Sequence, residues 1–150
     1  MIFDLDVETP DAGRIWINIV SRHPHCHGTI RAVFDTGSPR TILSARDVLR
    51  LLIPLHSLEQ GEPIKGFGRG GIPSKKIKEF TFALRSQDNL IVQIKMPIHV
   101  ADIATLQKMP QEYYQHALQI PTIIGMDFLK QAGLKTTIDI KNCKAYFEKE

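Results

Sequence analysis

Cysteine is scarce in this sequence: 150 residues carry two, Cys26 and Cys143. Two widely separated thiols cannot make the disulfide framework of a small secreted scaffold, so a reducing, cytoplasmic compartment is expected. Long apolar runs are missing as well, and no segment approaches the roughly 18 residues that a membrane-spanning helix needs. The first six residues include Asp4 and Asp6, acids where a secretory signal would carry bases. Charge of one sign is in short supply too. Nineteen basic residues against 16 acidic leave a net +3, too small and too scattered to point to nucleic acid. The densest basic cluster, Lys75, Lys76 and Lys78, reads as one solvated strand edge, where lysine opposes aggregation. No internal repeat and no recognisable serine or cysteine nucleophile motif is present.

What remains is ordinary globular material. With 43% apolar and 23% charged residues, the chain can build one real core but is short for two, so a single domain over 1–150 is expected. β signals dominate the first two thirds. Residues 2–7 alternate apolar and acidic side chains, as a half-buried strand does. Residues 14–20 are rich in β-branched and aromatic types. Residues 21–28 interrupt that pattern around Pro24 and residues 29–35 resume it, which predicts a hairpin. Ser44, with Asp47 three residues on, is a capping-box variant. It opens a short helix from Ala45 to Leu52 that stops before Pro54. Residues 62–67 and 72–84 flank a glycine cluster, and Ser86 to Asn89 form a second turn before residues 90–100. Residues 102–119, broken by Pro110, predict one or two short helices. Residues 121–125 make a brief strand, and 126–132 a helix ending at Gly133 as its C′ residue. Residues 135–140 and 144–147 make a last hairpin. The pattern is that of a mainly β domain with a few short helices.

One stretch stands out chemically. Asp35-Thr36-Gly37-Ser38 lies between the apolar run Ile30 to Phe34 and the segment Thr41-Ile42-Leu43. Strand, tight loop and strand present a carboxylate at a turn, an arrangement suited to general acid–base work on water. The same three letters also describe a β-turn in which Asp bonds its own backbone. Ser38 is open in the same way: its hydroxyl can donate to the carboxylate and lower its pKa, or cap the loop backbone.

Three segments in fixed order carry a resemblance. They are Val33-Phe34-Asp35-Thr36-Gly37-Ser38 with Thr41-Ile42-Leu43, then Gly66-Phe67-Gly68-Arg69-Gly70-Gly71, then Ile123-Ile124-Gly125-Met126-Asp127-Phe128-Leu129. Together they resemble the retropepsin-like aspartic peptidases over most of the chain. The resemblance implies a closed or nearly closed β-barrel, with Asp35 as the catalytic acid in a loop built by Thr36, Gly37 and Ser38. It implies a flap at Gly66, Phe67, Gly68, Arg69, Gly70 and Gly71, and support of the loop by Ile124 and Gly125. Two aspartates then share one proton, because like charges a few ångströms apart cannot both stay ionised. Asp35 is the only aspartate followed by Thr-Gly, so one chain supplies half a site and a homodimer is implied. Asp127, at a helix start where a carboxylate favours the dipole, is expected to act through stability or loop geometry rather than catalysis. Thr36 would hydrogen-bond across the dyad, and Ala145-Tyr146-Phe147 would be the apolar part of the interface. The substrate would be a polypeptide, and no cofactor is required. A rival from another class is a catalytically silent retropepsin-like module that only dimerises or binds peptides.

The chain departs from the retroviral members in two linked places. Two acidic positions after the loop are here Pro39 and Arg40, and the arginine after the later glycine is here Met126. Those groups pair in the retroviral enzymes, so their joint absence leaves no unpaired buried charge. Substrate specificity is therefore not carried over. Gly66 to Gly71 also matches a dinucleotide fingerprint formally, but that motif must open a helix, and Ile72-Pro73 follows. His23, His25, Cys26 and His27 cluster around Pro24, yet no second spaced pair of ligands completes a zinc shell, and no metal is expected.

Overall fold

The computed structural model describes residues 1–8, 13–65 and 71–150. These residues contain ten strands: β1 (Ile2–Val7), β2 (Ile15–His23), β3 (Cys26–Phe34), β4 (Ile42–Leu43), β5 (Glu59–Gln60), β6 (Ser74–Arg85), β7 (Ile91–Ala101), β8 (Ile123–Ile124), β9 (Lys135–Asp139) and β10 (Lys144–Glu148). Four short helices accompany them: α1 (Ala45–Arg50), α2 (Ile103–Gln107), α3 (Gln111–Gln119) and α4 (Met126–Ala132). The fold is mainly β, as expected.

The sheet runs β5-β6-β7-β4-β8-β3-β2-β1-β10-β9, and β2 also pairs with β6 through Val20–Ala83 and Ser21–Phe82. That extra pairing closes six strands into a ring, which gives the long strands two faces with different fates. On β2 the residues facing inward are Ile17, Ile19 and Ser21, and on β3 they are Ile30, Ala32 and Phe34, spaced by two as strand geometry requires. A bulge between Ile77 and Phe80 then shifts the register of β6, after which Phe80 to Leu84 are all buried.

Five phenylalanines run through the core in sequence of contact. Phe80 lies 4.8 Å from Phe82, Phe82 lies 5.9 Å from Phe128, Phe128 lies 6.4 Å from Phe147, and Phe147 meets Phe34 edge-on at 5.0 Å. These offset and edge-on geometries suit aromatic quadrupoles. The row ends one residue before Asp35. Packing is thereby continuous from the ring interior to the base of the acidic loop.

Three expectations need correction. The pattern break at residues 21–28 is not an interruption: β2 and β3 stay paired through Arg22–His27 and His23–Cys26, leaving only Pro24 and His25 to turn. Cross-strand pairing outweighs the local proline, which sits at the turn where its missing N–H is harmless. Lys75 and Lys76 are not on a sheet edge, because β6 is flanked there by β5 and β7, although Lys76 and Lys78 still face solvent. Ala145 and Phe147 cannot serve an interface. β10 lies between β1 and β9, and Phe147 is 0% exposed.

Helix ends follow their local chemistry. The Ser44 side chain accepts from the Asp47 amide at 3.2 Å, the first half of a capping box. Gly133 ends α4 at φ 64°, in the left-handed region that favours glycine. Pro110 separates α2 from α3. No helix among the described residues is long and apolar enough to cross a membrane.

Candidate active site

Asp35 is the first residue beyond β3, and its position is fixed from two sides. Its amide donates to the Ile124 carbonyl at 3.0 Å, continuing the parallel pairing of β3 with β8. Its carbonyl accepts from the Ser38 amide at 3.1 Å, which closes a tight turn. Within that turn the Gly37 amide donates to Asp35 Oδ1 at 2.8 Å. One carboxylate oxygen is therefore oriented by the backbone, and the other has no hydrogen-bond partner among the described residues. Asp35 is half-buried, while Thr36 and Gly37 are exposed at the loop tip.

The loop crosses directly over Gly125. A Cβ at Gly125 would lie 2.5 Å from the Arg40 carbonyl oxygen and 2.7 Å from that of Ser38. Both neighbours are backbone, so only glycine lets the two segments pass. The Met126 amide then donates to Ser38 O at 2.8 Å, tying the crossing together. Ile124 is fully buried beneath it. The resemblance implies support of the loop by Ile124 and Gly125, and in the structure both lie beneath it.

Ser38 acts within the loop in this conformation. Its hydroxyl donates to the Arg40 carbonyl at 2.8 Å, so the serine spans the bend through Pro39. Of the two roles open to it, this geometry favours capping.

Two polar groups of residues escaped the sequence. Thr41 donates its hydroxyl to Asp127 Oδ1 at 2.7 Å and its amide to Asp127 Oδ2 at 3.0 Å, and its hydroxyl oxygen accepts from the Gly125 amide at 3.1 Å. Asp127 does stand in the first turn of α4, but it also pins the exit of the acidic loop. Nearby, the Thr122 hydroxyl donates to Asp47 Oδ2 at 2.5 Å and accepts from the Ser44 amide at 2.9 Å. The acid of the capping box is thereby diverted to a residue 75 positions away. Arg50 holds the other oxygen of Asp47 at 3.0 Å. A threonine preceding a short strand and an acid two residues after a glycine carry no joint signal in one sequence.

Two clefts flank the loop. One, of about 380 Å³, is lined by Asp35 and Thr36 together with Arg14, Ile138 and Ile140. The other, of about 350 Å³, runs between Ser38 to Ile42 and residues 62–65, with His99 in its wall. Of the flap residues, Gly66, Phe67, Gly68, Arg69 and Gly70 lie outside the described residues. Gly71 is described, at φ 97°, where a side chain would be strained and a Cβ would meet the Ile64 carbonyl oxygen at 2.9 Å. Beside it Ile64 and Ile72 exchange both backbone hydrogen bonds, at 2.7 and 2.8 Å.

The His-rich turn separates its side chains. Cys26 points into the core, His25 and His27 face solvent, and His23 stacks on Phe80 with ring centroids 4.9 Å apart.

No family model matches the sequence, and no curated protein is significantly similar to it. Solved structures are. The EIAV protease in complex with an inhibitor matches with 20% identity and a TM-score of 0.53, over 88% of this chain and 100% of that one. A retropepsin-like aspartic protease from Rickettsia conorii matches with 14% identity and a TM-score of 0.59, over 98% of this chain and 91% of that one. The order of strands, the crossing at Gly125 and these matches lead to one conclusion: the chain has the fold of the retropepsin-like aspartic proteases.

Proposed function

We propose that the protein is a homodimeric aspartic endopeptidase in which Asp35 of each subunit contributes to a shared-proton dyad. The observation that carries this reading is the Asp35 loop itself. One carboxylate oxygen accepts from the Gly37 amide, and the whole loop is clamped over Gly125. Such a fixed acid at the edge of a cleft is prepared for chemistry at its free oxygen, and preorganised geometry is what acid–base catalysis requires.

One carboxylate is half of the machinery. With a second Asp35 across a two-fold axis, the ionised member takes a proton from a water molecule. The resulting hydroxide attacks the peptide carbonyl carbon, while the protonated member donates to the carbonyl oxygen. The tetrahedral intermediate then collapses with proton transfer to the departing amine. Thr36, exposed at the loop tip, would meet its counterpart across the axis, and Gly66 to Gly71 would serve as the flap that the resemblance implies. No cofactor enters these steps.

The test is cleavage of an unstructured protein between pH 3 and 8, by wild type and by Asp35→Asn. Cleavage on the acidic side of neutrality, absent in the variant, is the expected result. Binding of peptides without cleavage at any pH would instead make the protein a silent binding module.

A further inference from the structure

The cleft of about 350 Å³ beside the acidic loop has a charge pattern of its own. Ser38, Arg40 and Ile42 form one side, and Glu62 and Lys65 belong to the opposite segment, with His99 between them. Among the described residues the lining carries two basic side chains, Arg40 and Lys65, and one acidic one, Glu62. Ser38 is three residues along the loop from Asp35, so a polypeptide lying over Asp35 reaches this cleft within a few ångströms per residue.

Arg40 is the distinctive group. The arginines Arg31 and Arg50 are committed to ion pairs, with Asp6 at 2.9 Å and Asp47 at 3.0 Å. Arg40 forms no ion pair among the described residues. Asp127, which lines a neighbouring cleft together with Arg40 and His99, is already occupied by the Thr41 hydroxyl and amide. Instead Arg40 Nη1 lies 3.4 Å from His99 Nε2. Burial, reinforced by Arg40 and Lys76, holds the His99 pKa below its ordinary value, against smaller opposing effects of Asp127 and Glu62. The imidazole is therefore neutral near pH 7 and can accept at Nε2 from the guanidinium. That contact uses one of five N–H donors and gives the fork a direction. A directed guanidinium without a counter-ion matches a carboxylate, which it can bind through two parallel hydrogen bonds.

We propose that this cleft is a subsite for an acidic side chain, Asp or Glu, of the polypeptide that lies across the Asp35 loop, with Arg40 receiving the carboxylate and His99 positioning Arg40. The subsite extends the peptidase reading above and rests on it for the path of the bound chain. Glu62 opposes the preference from the facing segment and tempers it.

The experiment uses Asp35→Asn protein, in which binding is read without turnover. Two fluorescent peptide pools, identical except that one carries Glu where the other carries Gln, are titrated by anisotropy at neutral pH. The Glu pool should bind about tenfold more tightly, the worth of one charge-assisted contact. Adding Arg40→Gln, an exposed position that leaves the core untouched, should erase the difference, and adding Glu62→Gln should widen it. His99→Leu should reduce the preference, while His99→Gln, which keeps an acceptor, should retain more of it. Equal affinity for the two pools, no measurable binding of either, or a preference that survives Arg40→Gln would overturn the subsite. Cleavage by the wild type is scored in parallel. Acid-selective binding without any cleavage would sink the peptidase reading alone, and cleavage indifferent to acidic residues would sink the subsite alone.

Discussion

Asp127 holds Thr41 through two hydrogen bonds, 2.7 Å to the hydroxyl and 3.0 Å to the amide, across 86 residues of sequence. Because the Thr41 hydroxyl also receives the Gly125 amide, a single threonine joins the exit of the acidic loop to the segment that the loop crosses. Asp127→Ala should leave the Thr41 amide and hydroxyl unsatisfied in a partly buried site, at about 1–3 kcal/mol by urea denaturation. Asp127→Asn keeps one acceptor oxygen and should lose roughly half as much. Unchanged stability for the alanine variant would show that the clamp contributes nothing.

The two glycines of the site should answer differently to alanine. At Gly125 the new methyl would lie 2.5 Å from backbone, and neither segment can move without breaking the crossing. Overpacking of this kind costs about 1–3 kcal/mol or more, so Gly125→Ala should lower the thermal midpoint or prevent folding. At Gly37 the nearest atom to the methyl would be Asp35 Oδ1 at 3.2 Å. Gly37→Ala should therefore fold and lose peptidase activity, through displacement of the carboxylate. Calorimetry beside an activity assay separates the two, and equal behaviour of both variants would refute the distinction.

The parts of the fold that were legible in the sequence are those set by neighbours. Ser44 announced α1, Gly133 announced the end of α4, and alternation announced β1. Asp35 was visible because its glycine and flanking apolar runs lie within a few residues. The partners of Asp47 and Asp127 were not, since Thr122 and Thr41 lie 75 and 86 positions away. Phe147 misled for the same reason. The resemblance assigned it to a subunit interface, but its burial was decided by β9 folding back outside β10 and by contact with Phe34 and Phe128. Local pattern also failed at Pro24, where a register fixed by eight cross-strand pairs carried both strands up to the turn.

Stability should fall as the solution is acidified below the ordinary histidine range. His23 has its pKa lowered from 6.5, first by burial and then by His25, and its Nδ1 is buried without a hydrogen-bond partner. A group that binds its proton less readily when folded contributes most above the unfolded value, and that contribution drains away as pH falls through the folded one. His99 acts in the same direction. His23→Phe preserves the stacking on Phe80, centroids 4.9 Å apart, and removes the titration. It should flatten the denaturation midpoint between pH 7 and 5 relative to wild type. An identical pH slope in both proteins would rule out His23 as a source.

The proposed dimer surface is tested by contrasting Phe147 with Ile138 and Ile140. Phe147 is 0% exposed and packs on two other phenylalanines, so Phe147→Ala should cost about 3–5 kcal/mol of folding stability rather than act on association. Ile138 and Ile140 are 39% and 52% exposed, and both line the cleft that holds Asp35 and Thr36. A two-fold arrangement that brings the Asp35 loops together brings these isoleucines close to the axis. Ile138→Asp and Ile140→Asp should each leave the midpoint of unfolding within about 0.5 kcal/mol of wild type at subunit concentrations where both are monomeric. They should weaken dimerisation by about tenfold, a loss of the size seen when one apolar anchor of an interface is removed. Specific activity should then fall at correspondingly higher protein concentration on dilution, in step with sedimentation. Full activity in a demonstrably monomeric variant would exclude a dyad assembled from two subunits.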